Sequence, residues 1–246
     1  MSRKYANPPI IEAVCEFRLS PETPWDPTIA GLLYEKLKDE FPRKDHRPIR
    51  QLSAESEKER TAPRIPVEDR ALFFATDDKS LVQVGSRLLS VNCLKPYPSW
   101  NVFHSKISKA LEALQETVAI KGFQTIRLRY IDRIEIPGTK VELDDYFDFA
   151  PRVGNNLPRE LAAFFVGCLV SFSEGRDACR IELTNAVPER EGHSAYRLTT
   201  EYFLDEAGAV TPEKALAWLE QAHEAAGKIF EGCIKDALRE IFDGTE

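Results

Sequence analysis

Phe123-Gln124-Thr125-Ile126-Arg127-Leu128-Arg129-Tyr130-Ile131-Asp132-Arg133-Ile134-Glu135-Ile136-Pro137 lies at the midpoint of the chain and reads as its clearest long strand. Ile126, Leu128, Tyr130, Ile134 and Ile136 fall on one face at a period of two, and Arg127, Arg129, Arg133 and Glu135 on the other. Successive strand side chains point to opposite faces, so this alternation marks one buried and one wet face. Two residues break the phase. Asp132 lands on the apolar face and Ile131 on the charged one, which predicts a bulge or a buried, hydrogen-bonded carboxylate.

Outward from that strand the two flanks read alike. Towards the N-terminus, Asn7-Pro8-Pro9 is an extended lead-in, because a residue before proline avoids the helical region. Ile11, Ala13, Cys15, Phe17 and Leu19 then alternate with Glu12, Val14, Glu16 and Arg18 in a first strand. Asp26-Pro27 predicts a helix start, with Ile29, Leu32, Leu33, Leu37 and Phe41 as its apolar stripe and Pro42 as its stop. Residues 54–70 are polar and highly charged, and predict a mobile loop between strands. Strands at 71–75, 81–84 and 88–94 follow, the last two joined at Gly85-Ser86. A helix then starts near Ser99 or Trp100, carries its apolar stripe to Val118 and is closed by Lys121-Gly122. Beyond the central strand come a loop or helical turn at 142–147 and strands at 162–172, 178–183 and 195–204. Thr211-Pro212 then caps one helix to Phe242, about 31 residues and roughly 46 Å long.

The order of elements predicts an α+β fold: a pseudo-duplicated antiparallel sheet packed on two long helices. The halves, 1–122 and 123–246, are expected to share one continuous sheet and core. The helix-on-curved-sheet arrangement of TATA-binding-protein-like folds is the nearest shape by analogy.

Several function classes find no support in the residues. The 246-residue chain carries 33 Lys and Arg against 40 Asp and Glu, and its net charge of −7 disfavours bulk nucleic acid and anionic membrane. No apolar run approaches the ~20 residues a membrane helix needs. The cysteines, Cys15, Cys93, Cys168, Cys179 and Cys233, are odd in number and form no Cys-x-x-Cys pair, as expected of free thiols in a reducing cytosol. His46, His104, His193 and His223 stand far apart without metal-ligand spacing. Phosphate-binding glycine loops and a Gly-x-Ser-x-Gly nucleophile are both absent. The reading is therefore no metal and no cofactor.

Two candidate sites remain, both on the central strand. The first is the ladder Arg127, Arg129 and Arg133, whose guanidiniums suit phosphates or a carboxylate-rich partner. The competing reading is a charged lattice, in which these arginines and Arg18, Arg180 and Arg197 pair with Glu12, Glu16, Glu135, Glu182 and Glu201 across strands. The second is Asp132, the one polar group in apolar phase, with Tyr130 and Arg129 beside it.

Six blocks in order carry a resemblance to a known family. They are Asn7-Pro8-Pro9-Ile10-Ile11-Glu12-Ala13, Leu81-Val82-Gln83-Val84-Gly85, Leu89-Ser90-Val91-Asn92, Tyr97-Pro98-x-Trp100, Leu128-Arg129-Tyr130-Ile131-Asp132-Arg133-Ile134, and Trp218-Leu219-Glu220-x-Ala222-His223-Glu224. Together the chain resembles a family of sporadically distributed, functionally uncharacterised bacterial proteins. The resemblance implies a cytoplasmic protein with the patchy distribution of toxin–antitoxin or defence genes, and supplies no catalytic residues. That family commonly carries Asn where Asp132 stands. The function expected is thus non-enzymatic binding of a protein partner, as an antitoxin, immunity or phage-defence accessory protein. Binding of nucleic acid or nucleotide through the arginine face, and an enzyme site around Asp132, are the alternatives.

Overall fold

Among the described residues nine strands pair antiparallel throughout in one sheet, and the chain alternates between its centre and its edges to build it. The computed structural model describes residues 3–50, 67–154, 156 and 161–244. In chain order the elements are β1 (Ile10–Leu19), α1 (Ile29–Leu37), β2 (Arg43–Arg50), β3 (Val67–Phe74), β4 (Ser80–Gly85), β5 (Leu88–Leu94) and α2 (Trp100–Thr117). They continue with β6 (Phe123–Pro137), β7 (Phe165–Phe172), β8 (Asp177–Ala186), β9 (His193–Leu204), α3 (Ala215–Cys233) and α4 (Asp236–Asp243). The spatial order is β2-β3-β4-β5-β1-β6-β9-β8-β7, with the central pair β1–β6 joining the two halves of the chain.

The alternation in β1 and β6 sorts their side chains as the sequence predicts. Ala13, Cys15, Phe17, Ile126, Leu128 and Ile134 are fully buried and share one core with Leu33 and Leu37 of α1, Phe103 and Ile107 of α2, Leu219 and Ala222 of α3, and Leu238 of α4. The helices therefore cover one face of the sheet. The opposite face carries the charged residues, and its few buried apolar side chains, Leu72 and Phe203 among them, stand outside that core.

Four expectations need correction. The helix begun at Asp26-Pro27 ends at Leu37, so Phe41 is buried beyond its end, and Leu32 faces solvent. Asp26 Oδ1 accepts from the Thr28 amide at 2.7 Å, which delays the first helical residue to Ile29. Residues 54–66 of the expected loop lie outside the described residues, but 67–70 open strand β3. The hairpin turn is Ser86-Arg87, with Arg87 at φ 53°, and Gly85 belongs to the strand. A side chain at Gly85 would start 2.9 Å from Glu68 Oε1, so glycine there leaves room for a carboxylate.

The fourth correction concerns the last helix. It breaks at Ile234, whose extended backbone (φ −116°, ψ 156°) separates α3 from α4. The freed groups are used elsewhere: Cys233 O accepts from Asp148 N at 3.0 Å, Lys235 N donates to Tyr146 O at 2.8 Å, and Ile234 bridges Phe147. Arg239 Nη2 donates to Glu231 O and Ile234 O, which caps carbonyls at the end of α3. The break thus ties the 146–149 segment down, and Gly232 just before it lowers the cost of stopping the helix.

Candidate functional site

Strand β6 distributes the sequence-predicted site residues over two faces. Arg127, Arg129 and Arg133 lie on the helix-free face, whereas Tyr130 and Asp132 are buried on the helix side. Arg129 therefore does not stand beside Asp132, and the two candidate sites are separate.

On the helix-free face the focus is Glu201 of β9, opposite Arg129 in register. Its side chain is only 2% exposed although no helix covers it, because guanidiniums surround it. Arg129 Nε donates to Glu201 Oε1 at 2.9 Å and Arg129 Nη2 to the same oxygen. Arg180 Nη1 of β8 donates to Oε2 at 3.1 Å, and Arg127 Nη1 stands 3.9 Å from Oε1. Arg127 and Arg180 also lie over the ring of Phe203, at 5.6 and 5.8 Å from its centroid. Three guanidiniums stand within 4 Å of one carboxylate, and Glu16 of β1, opposite Arg127 in register, is the nearest further carboxylate across the β1–β6 line. Each arginine side chain keeps about a third of its surface open, between 33% and 39%.

The other arginines divide. Arg133 is occupied: Nε donates to Glu135 Oε1 at 3.2 Å, Nη1 lies 3.2 Å from Glu189 Oε1, and Nη2 donates to Val187 O. Arg197 of β9 stands directly across from Arg133, is exposed, and has no ion-pair partner among the described residues. Like charges directly opposite on a sheet repel, so this pairing is not explained by stability.

The same face differs across the β1–β6 line. Over β3, β4, β5 and β1 a chain of side-chain bonds runs from strand to strand. Arg70 bonds Glu68 at 3.0 Å and Gln83 at 3.3 Å, Gln83 bonds Asn92 at 2.9 Å, and Asn92 bonds Glu12 at 2.7 Å. This network lies outside the expected pairs. Of the expected lattice, Arg18 stands 3.9 Å from Glu16, and the pairs with Glu201 and Glu135 lie in the C-terminal half. The C-terminal half keeps an arginine excess.

On the helix side Asp132 is 1% exposed, and its Oδ1 has no hydrogen-bond partner among the described residues. Burial pushes its carboxyl up to about 8. The expected irregularity lies in the partner strand: Ile10 pairs with Asp132 and Glu12 with Ile131, so Ile11 is the extra residue of a bulge in β1. Asp177 shows how a buried carboxylate is satisfied in the same protein. It accepts from Trp218 Nε1 at 2.9 Å, Arg176 Nη2 at 2.6 Å and Tyr202 OH at 3.3 Å.

Tyr130 belongs to a cluster that the isolated histidines did not reveal. Its hydroxyl lies 2.9 Å from His223 Nδ1 of α3, and Trp100 at the start of α2 stacks on the same imidazole, 4.1 Å between centroids and 8° from parallel. Trp100 Nε1 donates to Glu220 Oε2 at 2.9 Å, and His104 Nε2 stands 3.4 Å from Glu220 Oε1. Burial holds His223 below its usual pKa and drives Tyr130 well above its own. Both directions favour an uncharged pair, a protonated phenol against a neutral imidazole. Tyr97-Pro98-x-Trp100, the central strand and the Trp218–Glu224 block all meet here, far apart in sequence and joined by tertiary packing. The described residues contain no group of three or more His, Cys, Asp or Glu placed to hold a metal ion. No described helix is long and apolar enough to cross a membrane. Neither a protein-family model nor a curated protein matches the chain.

Proposed function

We propose that the protein is a non-enzymatic binding protein that holds a short acidic segment of a protein partner on the arginine-bearing half of its open sheet face. One observation carries the reading: Arg127, Arg129 and Arg180 converge on the single carboxylate of Glu201, and Arg197, unpaired among the described residues, shares the face. Guanidiniums fixed by a central carboxylate are already oriented, so less rotamer freedom is lost when a second carboxylate arrives. The helix-on-curved-sheet reading of the fold leaves that face open to a partner. The family resemblance supports an antitoxin, immunity or defence-accessory setting.

Charge range favours a short segment over a long polyanion. At physiological salt the Debye length is about 8 Å, so a few acidic residues sense the local excess. A long nucleic acid also meets the rest of a chain whose net charge is −7. The test is a low-salt calorimetric titration with a glutamate-rich hexapeptide and, separately, a single-stranded oligonucleotide. Peptide binding that weakens with added salt supports the reading. Absence of peptide binding, or tighter binding of the oligonucleotide, contradicts it.

A further inference from the structure

The two edges of the sheet are built on opposite principles. β2 reads Arg43-Lys44-Asp45-His46-Arg47-Pro48-Ile49-Arg50. Charges and a proline on an edge strand protect its open hydrogen-bonding groups from another chain. β7, at the other end, reads Phe165-Val166-Gly167-Cys168-Leu169-Val170-Ser171-Phe172 and carries neither charge nor proline. Phe165, Leu169 and Val170 are 68%, 61% and 39% exposed. β7 stands fourth from the β1–β6 junction, as β3 does on the other side. β3 is covered by β2; among the described residues nothing covers β7.

We propose that β7 pairs antiparallel with β7 of a second copy of this chain, about a twofold axis normal to the sheet at Cys168, fusing two sheets into one. This interface goes beyond the acidic-segment reading and does not depend on it. An axis normal to the sheet keeps each side chain on its own face, and directly opposed residues share a face, so a central residue meets its own copy. Cys168 and Val170 pair with Ile181 and Cys179 of β8, both buried under the helices, which places Val166, Cys168 and Val170 on the helix side. There Val166 comes opposite the partner's Val170 in an unbroken apolar stripe.

On the other face the match is large against small. Leu169 comes opposite the partner's Gly167, and Phe165 opposite the partner's Ser171. A Cβ at Gly167 would stand 3.1 Å from the Phe165 ring, so glycine supplies the room these large side chains need. No charge faces its own copy across the axis, so the pairing meets none of the repulsion that β2 would generate. Both helix-free faces then point the same way, with the two Glu201 clusters about 24 Å apart at five strand spacings.

Sedimentation of the full chain over a range of concentrations, without peptide, tests this. The expected species has twice the 27.9 kDa chain mass. Leu169→Lys, at an exposed position, converts it to a monomer with the parent's far-UV circular dichroism and a lower melting temperature. The melting temperature falls because the dimer's contribution to stability is lost and the new charge faces Arg180 of β8. Oxidised glutathione should also trap the dimer: two Cys168 thiols are oxidised to one disulfide as glutathione disulfide is reduced to two glutathiones, and Cys168→Ser abolishes the product. A wild-type chain that stays monomeric overturns the proposal, as does a dimer indifferent to Leu169→Lys or one that yields no Cys168-dependent cross-link.

Discussion

Replacing Asp132 by Asn removes an ionisable group from the helix side of the sheet while keeping its shape. Burial raises the Asp132 carboxyl from 3.8 to about 8 in the folded chain. One pKa unit is about 1.36 kcal/mol, so ionised Asp132 costs the fold on the order of 5 kcal/mol relative to the protonated form. A carboxyl with a raised folded pKa binds more protons folded than unfolded between those two values. Stability therefore falls as pH rises through that window. Between pH 5 and pH 8 the contribution of Asp132 should decline by about 3–4 kcal/mol. An amide in its place does not titrate, so urea titrations at pH 5, 6.5 and 8 should show a smaller loss by that amount in Asp132→Asn, with the variant more stable at pH 8. Equal pH slopes, or a wild type that stabilises as pH rises, would refute the reasoning by showing that Asp132 is solvated or paired.

Two further substitutions test the face assignment. Leu128→Ala, at a fully buried position, should cost about 2–5 kcal/mol in denaturant titration, and Arg127→Ala on the other face within about 1 kcal/mol. Equal losses would mean the faces of β6 are assigned backwards. Glu201→Ala removes the shared carboxylate; we expect a loss of about 1–3 kcal/mol by thermal melting, limited because its arginine partners remain partly solvated.

Where local pattern and tertiary environment agree, the elements were legible before the fold was known. β6 runs from Phe123 to Pro137 as its alternation predicts, and Ser99 Oγ accepts from Val102 N at the start of α2. β2 escaped because an edge strand with charges and Pro48 has no buried face to impose alternation. The break at Ile234 escaped because the apolar stripe continues through it, and the partners that stop the helix, Tyr146 to Phe149, are remote in sequence. The strand expected at 162–172 forms over Phe165–Phe172, but nothing local showed that it would stand exposed at an edge. Among the cysteines, all free thiols, four are buried and Cys168 is exposed. Of the site, the arginine ladder and the odd phase of Asp132 were visible. The focusing of three arginines on Glu201, and the meeting of Trp100, Tyr130 and His223, depend on strand order and helix docking that no local spacing encodes.

Charge reversal at Arg197 tests the binding face most directly. Arg197 is exposed and unpaired among the described residues, and Arg197→Glu exchanges a like-charge pair with Arg133 for an opposite-charge one, so the variant should fold and melt no lower than the parent. The measurement is calorimetric titration of parent and variant with the glutamate-rich hexapeptide at low salt. The account predicts a loss of roughly tenfold, about 1.4 kcal/mol, at a melting temperature no lower than the parent's. Equal peptide affinity in the two proteins would contradict it, and would place the binding surface away from the arginine-bearing half of the sheet.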